Sequence, residues 1–384
     1  MVIRALGLGG AERQFVNVAI GLRRRGHTVA VVVFYREHSI LEERLAQSGV
    51  ELIELRKTSR WDLIGPFVTL VRHLRASACD VVYSFLPVAN LFAGAAVLIT
   101  PRTRIVWGIR TAGRSNDRAE LLARVLAAME WLCMTWPALV ITNSMSSLEQ
   151  LRERGLSDRK AVLIDNGVDS ASFRFDARAR SVVRAEWGVR ADEYLIGAVG
   201  RINSEKRLAI LLQAANVLVS RGKTLRVVLV GTGGADDMSV LRCQATELGL
   251  ADTLIWAGVR NDMASVYSAL DVLCLTSRYE GSPNILAEAM MCGLICIASD
   301  VGDVRRILQS HGKVVRPGDC ECLARALEAA SKDQAGESRQ SVVNSALEMF
   351  DMEKMVSNTE RMLKFVVDRS ESSHHHPQAN CTDD

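Results

Sequence analysis

Glu280 and Glu288 stand eight positions apart in RYEGSPNILAEAMMCG, residues 278–293. Between them lie residue types that turn a chain and open a helix. Ser282 is a good N-cap, Pro283 is preorganised for a first helical position, and Gly293 is a natural stop. This pattern predicts a short helix from Pro283 to Cys292, with ILAEAMM as its apolar face. Upstream, DVLCLTS reads as a buried strand entering the turn. A strand, a glycine-containing turn and a capped helix make an anion cradle. A bare phosphate site has no need of two acids, so a ligand with both phosphate and hydroxyl groups fits better.

A second cluster lies in VGRINSEKRLAILLQAA. A strand ends at Gly200, and Asn203 or Ser204 caps the helix expected near Glu205. Cations at a helix N-terminus oppose its dipole by a few tenths of a kcal/mol upward. Glu205 suits that place; Lys206 and Arg207 do not. A bound diphosphate reverses the penalty, because it faces Arg201, Lys206 and the backbone N–H groups together. Long basic side chains reaching into water explain the residues equally well in isolation. With the 280–288 turn on a neighbouring strand end, the ligand reading leads. GLGGAE at 7–12 and GTGGAD at 231–236 each place Gly-x-Gly after a strand but lack the third glycine of a dinucleotide fingerprint. GTGG reads as a tight turn, whereas Gly9 and Gly10 directly open a helix and could approach a substrate.

Short β-branched runs alternate with helical patterns along the whole chain, the signature of doubly wound α/β domains. HTVAVVVF, DVVYSF, TRIVWGI, ALVIT and AVLID read as strands of the first half. YLIGAVG, LRVVLVG, TLIWAG, DVLCLTS and ICIAS read as those of the second. The fold class expected is α/β, with two Rossmann-like parallel-sheet domains facing across a cleft and ligands at the carboxyl ends of the strands. The domains are placed at 1–180 and 190–345, with the break in the polar segment 175–192. A C-terminal helix over 346–368 is expected to pack back on the first domain, before a disordered tail at 370–384.

At 384 residues two domains are the default. Net charge is +3, too weak to argue for nucleic acid. Residues 1–200 hold 27 Lys and Arg against 20 Asp and Glu, and the remainder 20 against 24, so the first half is the one suited to an anionic partner. Scattered solvated arginines explain the same asymmetry. Nine cysteines without a C-x-x-C pair fit buried thiols in a reducing cytosol. MVIRALGLGG has too short an apolar region for a signal peptide. FLPVANLFAGAAVLIT, with a Pro and an Asn inside its 16 residues, falls short of a span and predicts a buried helix. His374, His375 and His376 fall in the polar tail, where low complexity outweighs metal binding.

GLGGAERQFVNVAIGLRRRGHTV, VLIDNGVDSASF, VGRINSEKR and RYEGSPNILAEAMMCG, in that order, resemble glycosyltransferase family 4 over about residues 1 to 365. WGIRTAGRSND and SDVGDVRRIL further resemble its bacterial branch, which builds lipopolysaccharide, capsule or exopolysaccharide. The resemblance implies a GT-B fold and a retaining transfer of a hexose or N-acetylhexosamine from a UDP- or GDP-linked donor. It implies that Arg201 and Lys206 grip the donor diphosphate and neutralise the departing nucleotide. Glu288 would accept from the ribose hydroxyls, and Glu280 would lie by the donor sugar. Gly200, Gly281, Ser282, Pro283, Asn284, Ile285 and Leu286 would line the donor, with backbone N–H groups from Ser282 to Leu286 as further donors. No metal or other cofactor is expected: the chain has no D-x-D motif, and Arg201 with Lys206 takes that metal's place. Gly9, Gly10 and Arg110 fall on the acceptor side. Relatives often carry a His where TRIVWGIRT has Arg110, so no His role is carried over. A contact to acceptor or donor phosphate and a structural ion pair both stay open for Arg110. Asp165 stands before Asn166-Gly167 where relatives often have Pro.

The implied acceptor is a lipid-linked glycan, met by a cytoplasmic protein peripheral to the inner face of the membrane. Arg23, Arg24 and Arg25, the apolar helix and RVLAAMEWLCMTWPALV would face that anionic surface, although a cationic helix end explains part of the triplet. Two other classes share the residue set. A nucleotide-sugar 2-epimerase would need histidines in strand-end loops, where His27, His38, His73 and His311 are not expected. A non-catalytic nucleotide-sugar-binding protein would keep the same charged residues, and only turnover distinguishes it.

Overall fold

The computed structural model describes residues 1–7, 9–59, 61–100, 102–110, 118–332 and 338–374. They fall into two compact units, one within Met1–Thr111, Asn116–Gly167 and Glu353–Asp384, the other chiefly Val168–Met352.

The first unit contains β1 (Val2–Ile3), β2 (Ala30–Val33), β3 (Glu51–Glu54), β4 (Val81–Phe85), β5 (Arg104–Ile109), β6 (Leu139–Thr142) and β7 (Ala161–Leu163). They form one sheet in the order β3-β2-β1-β4-β5-β6-β7, parallel at every pairing. Parallel pairing requires crossover helices. The first, Gly10–Arg24, buries Phe15, Val16, Ala19 and Leu22, and the chain turns away at Gly26 with φ +89°. The apolar run 85–100 divides as its proline demands. Phe85 closes β4, and Pro87 opens the helix Pro87–Leu98. Ala89, Ala93 and Ala96 of that helix are fully buried. A Cβ on Gly94 would come within 2.8 Å of Trp136 and 3.1 Å of Trp107, so the ring packing needs glycine there. The run is a core helix. Among the described residues no helix is long and apolar enough to cross a membrane.

The second unit contains β8 (Tyr194–Val199), β9 (Leu225–Val230), β10 (Leu254–Gly258), β11 (Val272–Leu275), β12 (Cys296–Ser299) and β13 (Gly312–Val315). Their order is β10-β9-β8-β11-β12-β13, again parallel throughout. Apolar clusters cover the sheet on both faces, which is why its strands read as continuous apolar runs.

Two expected boundaries move. The segment 175–192, expected as the break, carries the helix Ala177–Glu186 of the second unit, capped by the Asp176 side chain. Its arginines look like linker residues in sequence but are structural: Arg180 and Arg184 share Asp271, and both donate to the Ala269 carbonyl at the end of the helix Met263–Ala269. The division therefore falls at 167/168. The C-terminal helix expected over 346–368 is two helices, Arg339–Phe350 in the second unit and Met352–His374, grouped from Glu353 with the first. On the first unit Val356 packs on Gly21, where a Cβ would lie 2.4 Å from its Cγ2. Arg25 bridges Glu353 and Glu360 at 3.1 Å each, and His27 meets Glu360 at 2.8 Å. Lys364 and His27 hold the Glu360 carboxyl down to about 2. The helix runs past 370 to His374; His375, His376 and the rest of the tail lie outside the described residues.

Candidate functional site

In a doubly wound sheet the crevice opens where strand order reverses. In the second sheet that point lies between β8 and β11. Gly200, with φ +132°, follows β8 and delivers Arg201, which is exposed and has no ion-pair partner among the described residues. The GTGG turn after β9 supports this loop. A Cβ on Gly231 would fall 2.0 Å from the Gly200 carbonyl oxygen, and one on Gly233 would fall 1.9 Å from that of Ile202. The turn reading of GTGG is right, and those glycines let two backbones touch where Arg201 is presented.

After Arg201 the chain makes a tight turn, Ser204–Lys206, in which the Asn203 side chain accepts from the Lys206 N–H at 3.2 Å. Arg207 then adopts φ +47°, and the helix Leu208–Ser220 begins, three residues later than the Glu205 start that the sequence suggested. Lys206 thus precedes the helix. Its carbonyl accepts from Thr276 Oγ1 at 2.7 Å, and the Glu205 carbonyl accepts from the Arg278 N–H at 2.8 Å, so the loops after β8 and β11 are tied together. Across that tie Lys206 Nζ donates to Glu280 Oε1 at 2.5 Å, with both side chains partly exposed.

Beyond Glu280 the helix is Asn284–Met291, with Pro283 at the N-cap and no side-chain cap bond. The expected Ser282 cap is therefore absent, because the proline takes that place in extended backbone. Leu286 is also reassigned. Its side chain is fully buried in the core and its N–H donates to the Pro283 carbonyl. Proline has no N–H, so of the backbone donors expected between Ser282 and Leu286, those at Pro283 and Leu286 fall away. Glu288 is 4% exposed and accepts from the Tyr267 hydroxyl at 2.9 Å. Gly293 stops the helix with φ +68°. Burial, with the Glu288 charge added, pushes the Cys292 thiol up to about 12, and burial does the same to Cys274, so neither supplies a thiolate.

The loop after β12 is a third support that the sequence reading missed. Gly302 has φ +53°, and a Cβ there would lie 2.1 Å from the Glu280 carbonyl oxygen. The Asp303 N–H donates to the Gly281 carbonyl at 2.9 Å. A glycine three positions past a strand end, in SDVGDV, was the available signal. Tyr267 and Thr276 gave none, since their partners are distant in sequence.

In the first unit Gly9 caps the opening helix in extended backbone, and a Cβ on it would strike Glu12 Oε2 at 2.0 Å. Gly9 therefore makes room for a carboxylate of its own helix. Arg110, directly after β5, donates to Asn166 Oδ1 at 2.9 Å and to the Tyr83 hydroxyl at 3.1 Å. No ion pair is found for it among the described residues. Gln14 and Gly167 exchange two hydrogen bonds, at 2.9 and 3.0 Å, at the unit's edge. One histidine needs correction: exposed His38 does lie in a strand-end loop, after β2. Among the described residues no group of three His, Cys, Asp or Glu side chains is placed to hold a metal.

Two family models match the chain, the glycosyl transferases group 1 over residues 179–349 and glycosyltransferase family 4 over residues 8–172. Bacillus subtilis EpsF, named as a glycosyltransferase, is 29% identical over 78% of each chain. An Escherichia coli UDP-Gal:alpha-D-GlcNAc-diphosphoundecaprenol alpha-1,3-galactosyltransferase is 25% identical over 48% of each. The crystal structure of Anabaena HepE in complex with UDP and glucose superposes with a TM-score of 0.81, covering 94% of this chain and 98% of that one at 21% identity.

Proposed function

We propose that this chain, which belongs to glycosyltransferase family 4 and has the GT-B fold, moves a hexose or N-acetylhexosamine with retention from a UDP- or GDP-linked donor to a lipid-linked glycan acceptor in surface-polysaccharide synthesis. One observation carries the reading. Arg201, Lys206, Glu280 and Glu288 all follow the two strands at which the second sheet reverses order, with Lys206 and Glu280 already in contact. The HepE complex with UDP and glucose and the UDP-galactose-dependent relative support a nucleotide-sugar donor. The diphosphoundecaprenol acceptor in that relative's name supports a lipid-linked one.

In this mechanism Arg201 and Lys206 face the donor diphosphate and offset the charge that grows as it leaves. The short turn before helix Leu208–Ser220 holds Lys206 for that purpose. Glu288, fixed by Tyr267, accepts from the ribose hydroxyls. Glu280 stands by the donor sugar, where its carboxylate favours positive charge at the anomeric carbon. The leaving phosphate takes the acceptor's proton on the same face, so retention needs no protein nucleophile, and the high thiol values of Cys274 and Cys292 agree with that. Positioning and charge carry the catalysis. The two cations take the place of a divalent metal, so EDTA should leave transfer intact, and a strict metal requirement would refute that part.

Incubating the protein with radiolabelled nucleotide sugars and a bacterial lipid extract tests the whole reading. Label moved to lipid supports it; an isomerised donor indicates an epimerase, and retention without turnover indicates a binder.

A further inference from the structure

Several arginines of this protein that hold elements together are met by carboxylates or carbonyls. Arg180 and Arg184 share Asp271, Arg25 lies between two glutamates, and Arg306 pairs with Asp303. Arg110 departs from that pattern. Its Nη1 and Nη2 donate to an amide and a phenol, Asn166 and Tyr83, and its guanidinium lies 4.4 Å from the centre of the Phe85 ring. All three partners are neutral, and among the described residues no carboxylate reaches it. Its Nε is buried without a hydrogen-bond partner.

The surroundings are built rather than incidental. Tyr83 is 1% exposed, Asn166 2% and Asn143 8%, and Asn143 Nδ2 donates at 3.3 Å to the Asn166 oxygen that receives Arg110. Tyr83 lies in β4, Arg110 and Asn143 directly follow β5 and β6, and Asn166 comes after β7. Four neighbouring strands of one parallel sheet thus contribute to one cluster, at or near the carboxyl ends where ligands enter such sheets. Burying three neutral polar side chains to orient a cation gains little for folding, and a guanidinium partly removed from water without a counter-charge costs free energy. A buried donor without a partner in such a place points to a missing acceptor. The planar fork of arginine matches phosphate oxygens in pairs.

We propose that Arg110, positioned by Tyr83, Asn143 and Asn166, is the anchor for a phosphate group of the acceptor, a subsite separate from the donor's diphosphate grip. Naming the phosphate as the acceptor's rests on the transferase reading above; the anion subsite itself does not. The same chemistry is offered by a lipid-linked diphosphate and by a soluble sugar phosphate.

Calorimetry on the full chain tests it, with inorganic pyrophosphate as the probe and the donor site filled with whichever of UDP or GDP binds. Wild type should still take up one pyrophosphate. R110Q should weaken that uptake at least ten-fold while binding the nucleotide as before, and R110K, which keeps the charge without the fork, should fall between them. If R110Q fails to fold, R110K carries the comparison. A K206A variant should lose nucleotide affinity and keep the pyrophosphate site. If no nucleotide binds but pyrophosphate uptake still depends on Arg110, the transferase reading fails and the subsite stands. Unchanged uptake in R110Q and R110K, or none by nucleotide-filled wild type, overturns the proposal. Repeating the titration with a detergent-dispersed prenyl diphosphate and with a hexose 1-phosphate then shows which source the subsite prefers.

Discussion

The carboxyl ends of the two sheets hold their cations in opposite ways. After β8 and β11, Lys206 is already bonded to Glu280, and the loops that carry them are tied by Thr276, Arg278 and Gly302. After β5, β6 and β7, Arg110 is held by an amide, a phenol and a ring. An anion arriving at the second sheet must compete with a carboxylate for Lys206, whereas one arriving at the first has no such rival. A site that must release its ligand after every turnover gains from the first arrangement. An anchor that only orients a substrate gains from the second.

The largest effect should follow from removing the grip on the donor. Replacing Lys206 by Ala should lower kcat/KM for transfer at least ten-fold, about 1.4 kcal/mol, and Arg201→Ala should do likewise. Because Lys206 and Glu280 touch, a double-mutant cycle of K206A and E280Q should be clearly non-additive. Additive kinetics would separate the two residues functionally. Next comes the turn beneath Glu280. G302A forces a Cβ toward the Glu280 carbonyl at a positive φ, so it should cost about 1–2 kcal/mol of stability and also lower kcat. A variant with wild-type melting and turnover would contradict the packing described.

The paired acids should then divide their roles. E288Q should weaken donor affinity more than the chemical step, while E280Q should lower kcat with nucleoside diphosphate still bound. If both lose only affinity, the division is wrong. Smaller still is the latch between the first helix and the C-terminal helix. Glu360 sits at about 2 when folded against 4.5 unfolded, so its contribution is present above pH 4.5 and is lost as pH falls toward 2. E360Q should therefore melt lower than wild type at pH 7, by a smaller margin at pH 3, and with no difference below pH 2; an equal gap at pH 7 and below pH 2 would refute the latch. The smallest effect concerns the membrane. With Arg25 engaged by Glu353 and Glu360, Arg23 and Arg24 remain, at about 1 kcal/mol each near an anionic surface. Sedimentation with anionic but not neutral vesicles, weakened by high salt and by replacing both with Gln, is the expected result; equal binding to both vesicle types would remove the membrane from the reading.

These contrasts also explain what the sequence disclosed. Most interior strands of both sheets were legible because burial on two faces leaves continuous apolar runs such as LVIT and VLCL, whereas the two-residue β1 was too short to read. The edge strands β3 and β13, ELIE and GKVV, were missed because charged residues and glycine interrupt them. The residues after β8 and β11 stood out in the sequence because turn chemistry and paired charges are local in sequence. Ser282 was misread as a cap since Pro283 adopts the capping conformation itself. The segment 175–192 was taken for a linker because the carbonyls and Asp271 that satisfy its arginines lie about 90 residues away. The neutral cradle of Arg110 was invisible for the same reason: Tyr83, Asn143 and Asn166 meet only in the folded sheet.

The central claim, that the reversal point of the second sheet grips a nucleotide sugar through Arg201 and Lys206, is tested most directly by calorimetry. A panel of UDP- and GDP-linked sugars would be titrated into wild type and into the R201A/K206A double variant, with circular dichroism to confirm that both are folded. The account predicts that wild type binds at least one member and that the folded double variant binds it at least ten-fold more weakly. Equal affinity in the two proteins, or no nucleotide sugar bound by wild type, would contradict it.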